Sequence, residues 1–97
     1  MKIVILDVAR LEFNEAKEFY EIEQTGLGAK FENEIKNGIL RIQQYPQAWS
    51  PERKETRRYL VRKFPYKIIY SLQENNIVVL AFAHLHRKPN YWVDRIK

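Results

Sequence analysis

The chain has 97 residues, a net charge of +5 and no cysteine, so it is expected to be one domain with neither a disulfide framework nor a thiolate metal site. Hydrophobic residues make up 45% and aromatics 13%, enough to build a core without staples. The apolar run Lys2–Leu6 stops at Asp7, too short for a signal peptide or a membrane span, so a soluble cytoplasmic protein is expected.

In chain order, Lys2–Leu6 reads as a short strand. Asp7 offers a helix N-cap, and a helix to about Glu23 has an inner stripe of Ala9, Phe13, Ala16 and Tyr20. Thr25 and Gly26 end it, with Gly26 in a left-handed cap. A second helix, about Leu27 to Tyr45, carries Leu27, Phe31, Ile35, Gly38, Ile39 and Ile42 on one face. The short connection predicts an antiparallel helical hairpin, and Gly38 is expected to let the two helices approach closely. Pro46 to Glu55 is a loop with Trp49 folded back onto the body. Three strands follow, about Thr56–Lys63, Tyr66–Leu72 and Ile77–His84, with a turn at Gln73 to Asn76. Ile77–Ala83 is apolar on both faces and predicts a central strand. Pro89 to Arg95 can form a short helix. The expected class is α+β, in the order β-α-α-β-β-β(-α). A helical hairpin covers one face of a mainly antiparallel four-stranded sheet, and the other face or its rim carries the basic residues.

Charge is divided unevenly. Residues 1–49 hold six Lys/Arg and eight Asp/Glu, net −2, whereas residues 50–97 hold eleven and four, net +7. Arg53 to Lys67 alone has seven cations and one anion, threaded through strand-forming residues. That pattern suggests a surface for something anionic, Arg53, Lys54, Arg57, Arg62, Lys63, Lys67 and Lys88 being its candidates, although basic surface also serves solubility.

The order and its residues resemble the RelE/ParE superfamily of type II toxin–antitoxin toxins. The resemblance begins at Ala9-x-x-Glu12-Phe13-x-x-Ala16-x-x-Phe19-Tyr20 and continues through Gly26-Leu27-Gly28-x-x-Phe31 and Ile42-x-x-Tyr45-Pro46. It runs on through Arg57-Arg58-Tyr59-Leu60-Val61-x-x-Phe64-Pro65-Tyr66-x-Ile68-x-Tyr70. Its last part is Val79-Leu80-Ala81-x-Ala83-His84-x-x-Arg87-x-Pro89-x-Tyr91-Trp92. As an ensemble these look like the ParE-type branch. The resemblance implies a small toxin of a plasmid-stabilisation kind, blocked by a cognate acidic antitoxin in a hetero-oligomer. It also implies either DNA gyrase or the ribosome and its messenger RNA as target. No cofactor, metal or membrane is expected. A third reading is a nucleic-acid-binding module without toxicity.

Metal-independent RNA cleavage needs a base, an acid and cations around the phosphate. His84, His86, Arg58, Arg87 and Tyr91 are the candidates if the chain is a ribonuclease. Strand alternation puts His84 on the face of Val78, Leu80 and Phe82, where a structural role competes with catalysis. His86 is expected to be exposed. Glu12 lies in the first helix's apolar arc, so one of Arg57 and Arg58 is expected to pair with it. Lys17 and Glu21 are spaced for an exposed i,i+4 pair. Tyr91 could stack on a base or pin the tail, and Trp92 is expected to pin it.

Overall fold

The computed structural model describes residues 1–96. Its elements are β1 (Lys2–Ile5), α1 (Asp7–Glu23), α2 (Leu27–Gln44), β2 (Thr56–Leu60), β3 (Tyr66–Gln73) and β4 (Asn76–His84), then a 3-10 turn at Val93–Arg95. The sheet order is β1-β4-β3-β2. β1 runs parallel to β4, and the other two pairings are antiparallel. The doubly apolar β4 therefore lies between two strands, as its sequence requires.

Leu6 joins β1 to α1 and gives its N–H to the Val79 carbonyl at 3.1 Å, extending the ladder by one bond. Leu6 is also the extended N-cap of α1, without a side-chain cap bond. Asp7 is not the cap but the first helical residue, where its charge still suits the positive end of the helix. Ala9 and Ala16 are buried and Phe13 and Tyr20 pack beside them, so the inner stripe of α1 forms as its periodicity predicts. Gly26 takes φ +90° between the helices. Its N–H and that of Gly28 donate to the Glu21 carboxylate at 3.0 and 3.1 Å. Glu21 thus caps the free amides that open α2, and Lys17 reaches across to Glu32 of α2. The expected Lys17–Glu21 pair does not form, because each side chain has a partner outside its own helix.

The role expected of Gly38 falls to Gly28. A Cβ on Gly28 would lie 2.9 Å from the Lys17 carbonyl, so Gly28 lets the helices approach. A Cβ on Gly38 would meet Tyr59 at 2.7 Å and Ile68 at 3.0 Å, so Gly38 seats α2 on the sheet instead.

β2 is shorter than its sequence suggests. After Leu60 the chain turns through Lys63 at φ +69°, and Val61 N–H closes the turn on the Tyr66 carbonyl at 2.9 Å. Pro65 sits inside that turn and has no N–H for a ladder. The β3–β4 turn has Glu74 and Asn75 both at positive φ, 49° and 64°, which suits a tight twisted hairpin.

The register of β3 on β4 passes from Ile69↔Ala81 to Tyr70↔Val79, leaving Leu80 unopposed. This bulge reverses the alternation along β4. Ile77, Val79 and Phe82 enter the core under the helices, while Leu80, Ala81 and Ala83 enter a second cluster on the opposite face. His84 therefore does not share a face with Val78 and Leu80, as simple alternation predicts. It follows Phe82 to the helix side, where its ring lies 5.1 Å from that of Tyr66.

The second cluster is completed by Trp92, which is 1% exposed, with Tyr91, Val93 and Ile96 packed beside it. The tail thus covers much of the face expected to be basic, and only the part near β2 carries cations. Trp92 pins the tail, as expected of it.

Candidate functional site

Three surfaces could carry function: the end of β4 with the tail, the cationic part of the sheet face, and a groove between the helices.

At the end of β4 the organising group is Glu12. β1 stops early, so the last residues of β4 have no strand beside them on that side among the described residues. The Glu12 carboxylate fills the gap, accepting the Phe82 N–H at 3.1 Å and the Tyr91 hydroxyl at 2.7 Å. The Arg95 guanidinium grips both its oxygens, at 2.9 and 3.1 Å, and donates to the Leu80 carbonyl at 2.9 Å. Two side chains thereby replace a strand, meeting the hydrogen-bonding needs of Leu80 and Phe82. Arg87 stands 3.7 Å from Glu12 and lays its guanidinium 3.9 Å above the Tyr91 ring. The partner of Glu12 is therefore neither Arg57 nor Arg58. The sequence showed that Glu12 needs a cation, but Arg95 is 83 residues away and no local spacing could select it.

This arrangement bears on chemistry. Burial, then the bond to Glu12, pushes the Tyr91 hydroxyl far above its ordinary range. Its proton is already donated to a carboxylate, which suits a fastening more than a general acid. His84 is half-buried, and its Nδ1 accepts the His86 N–H at 3.1 Å. His86 is exposed, with its ring 5.4 Å from that of His84. Burial raises the nearby Tyr66 hydroxyl, and the charges of Tyr20 and Glu12 add to it. Four of the five ribonuclease candidates, His84, His86, Arg87 and Tyr91, thus gather within one neighbourhood.

Arg58, the fifth, is placed on β2 with β3 intervening. It donates to the Pro51 carbonyl and to Glu52, both at 2.9 Å. Lys67 donates to the other Glu52 oxygen at 2.6 Å. Burial alone would push the Glu52 carboxyl up, but the bonds from Lys67 and Arg58 outweigh it and hold it below the usual range. Arg57 points to the other face, as alternation requires, and donates to the Trp49 carbonyl at 2.7 Å. Lys63 lies 3.7 Å from Glu34. Arg53, Lys54, Arg62 and Lys88 are exposed, and no ion pair joins them among the described residues. Four of the seven cations of the basic stretch are thus engaged: Arg58 and Lys67 by Glu52, which directly precedes the stretch, Arg57 by the Trp49 carbonyl, and Lys63 near Glu34.

The groove lies between α1 and α2 at the β1 side of the sheet, with a volume of about 430 Å³. Ile5, Phe13, Ile35, Ile39, Leu40 and Phe82 line it, and Arg10, Glu32 and Lys36 stand at its rim. Beside it, no strand among the described residues pairs with the outer edge of β1. No helix among the described residues is long and apolar enough to cross a membrane.

No curated protein matches the sequence. A solved structure described as the chromosomal ParDE TA system from P. aeruginosa superimposes with a TM-score of 0.77 at 15% identity, covering 89% of this chain and 97% of that one. At that identity the likeness speaks for the fold: two helices on a mixed four-stranded sheet. The sequence itself matches, over residues 3–89, the family described as ParE toxin of type II toxin-antitoxin system, parDE. That match spans the helical hairpin and all four strands, and the chain belongs to the ParE toxin family.

Proposed function

We propose that this chain arrests growth by binding a cellular target, with DNA gyrase as the target its family suggests, and that an acidic antitoxin neutralises it. The observation that carries this reading is the Glu12–Tyr91 bond at 2.7 Å. An RNA-cleaving site wants its tyrosine and arginine turned toward a phosphate. Here Tyr91, Arg87 and Arg95 are turned toward an internal carboxylate. The groove and the unpaired β1 edge support the antitoxin half of the proposal. An amphipathic helix suits the one and an extended segment the other, and Arg10 at the rim, outside every ion pair among the described residues, favours an acidic chain, while Lys36 is paired with Glu32 at 3.2 Å.

A ribonuclease remains the second reading because His84 and His86 are neighbours beside Arg87. Inducible expression with parallel readouts of DNA damage and of translation separates the two. The binding reading expects a DNA-damage response with translation intact, and a folded His84→Gln/His86→Gln variant that still arrests growth. Arrested translation without DNA damage, abolished by that variant, would overturn it. Normal growth on induction would remove both toxic readings.

A further inference from the structure

We propose that the outer face of α1 is a docking surface for a cationic amphipathic helix, separate from the groove and independent of the reading above. α1 has a second apolar stripe that no element among the described residues covers. Val8, Leu11, Phe19 and Ile22 are 40, 56, 56 and 78% exposed. At about 3.6 residues per turn their spacing aligns them along one side of the helix, across from Ala9 and Phe13. A helix face that only meets water has no use for four large apolar side chains in register.

The helix's own charges on that side have one sign, and a neighbouring cation, Arg87, which shares a cleft with Glu15 and Phe19, also faces Glu12 at 3.7 Å. Glu15 stands within the stripe, and Asp7, Glu18 and Glu23 lie exposed beside it. The two cations of α1 are turned elsewhere: Lys17 bonds Glu32 of α2, and Arg10 lines the groove. Glu12 and Glu21 are engaged in internal bonds. The surface presented is therefore apolar and acidic, with no lysine or arginine of its own helix to balance it.

That combination selects an occupant. A second copy of the chain, packing α1 antiparallel on α1 about the middle of the stripe, would bring Glu15 against Glu15 with further carboxylates nearby, and like charges oppose it. An acidic segment is repelled for the same reason, which separates this face from the groove, where Arg10 stands at the rim. A helix with leucine-type residues at three- and four-residue spacing and lysine or arginine on its flanks meets both the apolar stripe and the carboxylates. From Val8 to Ile22 the stripe runs about four turns, roughly 21 Å, so a partner segment of about 14 residues covers it.

Fluorescence anisotropy of the full chain with three synthetic helical peptides tests this: leucine–lysine amphipathic, leucine–glutamate amphipathic, and lysine–serine without leucine. The leucine–lysine peptide is expected to bind, weakening about tenfold or more as salt is raised from low to physiological strength. The other two are expected to bind at least about tenfold more weakly. A Leu11→Ser/Ile22→Ser variant, altered only at exposed positions and checked by thermal melting, should also weaken binding by at least about tenfold. Amide shifts on titration should fall on the outer side of α1. Equal binding of the glutamate peptide, unchanged binding by the variant, or shifts centred on Ile35, Ile39 and Leu40 of the groove would each overturn the proposal. So would a dimer of the free chain that the same variant dissolves, because a second copy would then own the stripe.

Discussion

At one long edge of the sheet, the loop 46–55 runs beside β2. Glu52 N–H bonds the Thr56 carbonyl, Arg58 N–H bonds the Ser50 carbonyl, and Trp49 packs edge-on against Tyr59 with centroids 4.9 Å apart. At the other long edge, β1 has no such cover among the described residues, which close only the tip of β4 beyond it, through Glu12 and Arg95. The difference shows how a small sheet manages its unpaired backbone. One edge is sealed by loop and side chains, while the other keeps a single stretch open beside an apolar groove, which is where an incoming strand can add.

The sharpest way to break this contrast is to unseal the tip of β4. Glu12→Gln strands the Arg95 charge, whose side chain is only 17% exposed, and loosens the tail. A loss of about 3 kcal/mol is expected in chemical denaturation, with faster hydrogen exchange at the Phe82 amide. Stability within about 0.5 kcal/mol of the parent would show that the tail is held by Trp92 alone. Unsealing the β2 edge should cost less. Trp49→Ala removes a half-buried ring, with about 2 kcal/mol expected, and faster exchange should appear at the Arg58 amide while Phe82 stays protected. The smallest effect concerns the charge that tethers the loop. The folded chain holds the Glu52 carboxyl below its ordinary range, so its contribution is complete at neutral pH and fades as pH drops through the acid range below about 4. Glu52→Gln should therefore lower stability by up to about 1 kcal/mol at pH 7 and make almost no difference near pH 2, as equilibrium melts at the two pH values would show.

The fold was largely legible because its signals are local. Paired helical stripes, the Gly26 break and the doubly apolar run of β4 each act within a few residues. Gly38 was recognised as a close-approach residue, but no sequence periodicity tells whether a helix or a sheet is pressed against it. The site was less legible for the same physical reason. Seven cations between Arg53 and Lys67 read as open basic surface, yet Glu52 draws Arg58 and Lys67 into one ion-pair cluster after the chain doubles back. Glu12 advertised a need for a partner, and the pairing with Arg95 depends on the tail crossing the sheet. The face occupied by His84 turned on one unpaired residue, Leu80, which carries no mark in its sequence.

That unpaired residue works as a phase shifter between two halves of the same strand. Upstream of Leu80 the strand is in step with β1 and builds the floor beneath the helices. Downstream it is half a period out, so Phe82 and His84 are delivered to the helix side while Ala81 and Ala83 leave a shallow bed for Trp92. Drawing Leu80 into the ladder, so that no residue is left over, would exchange the two sets together. Bulky rings would be driven under the tail and alanines would be left beneath Phe13, so the tail anchor and the end of β4 stand or fall as one unit.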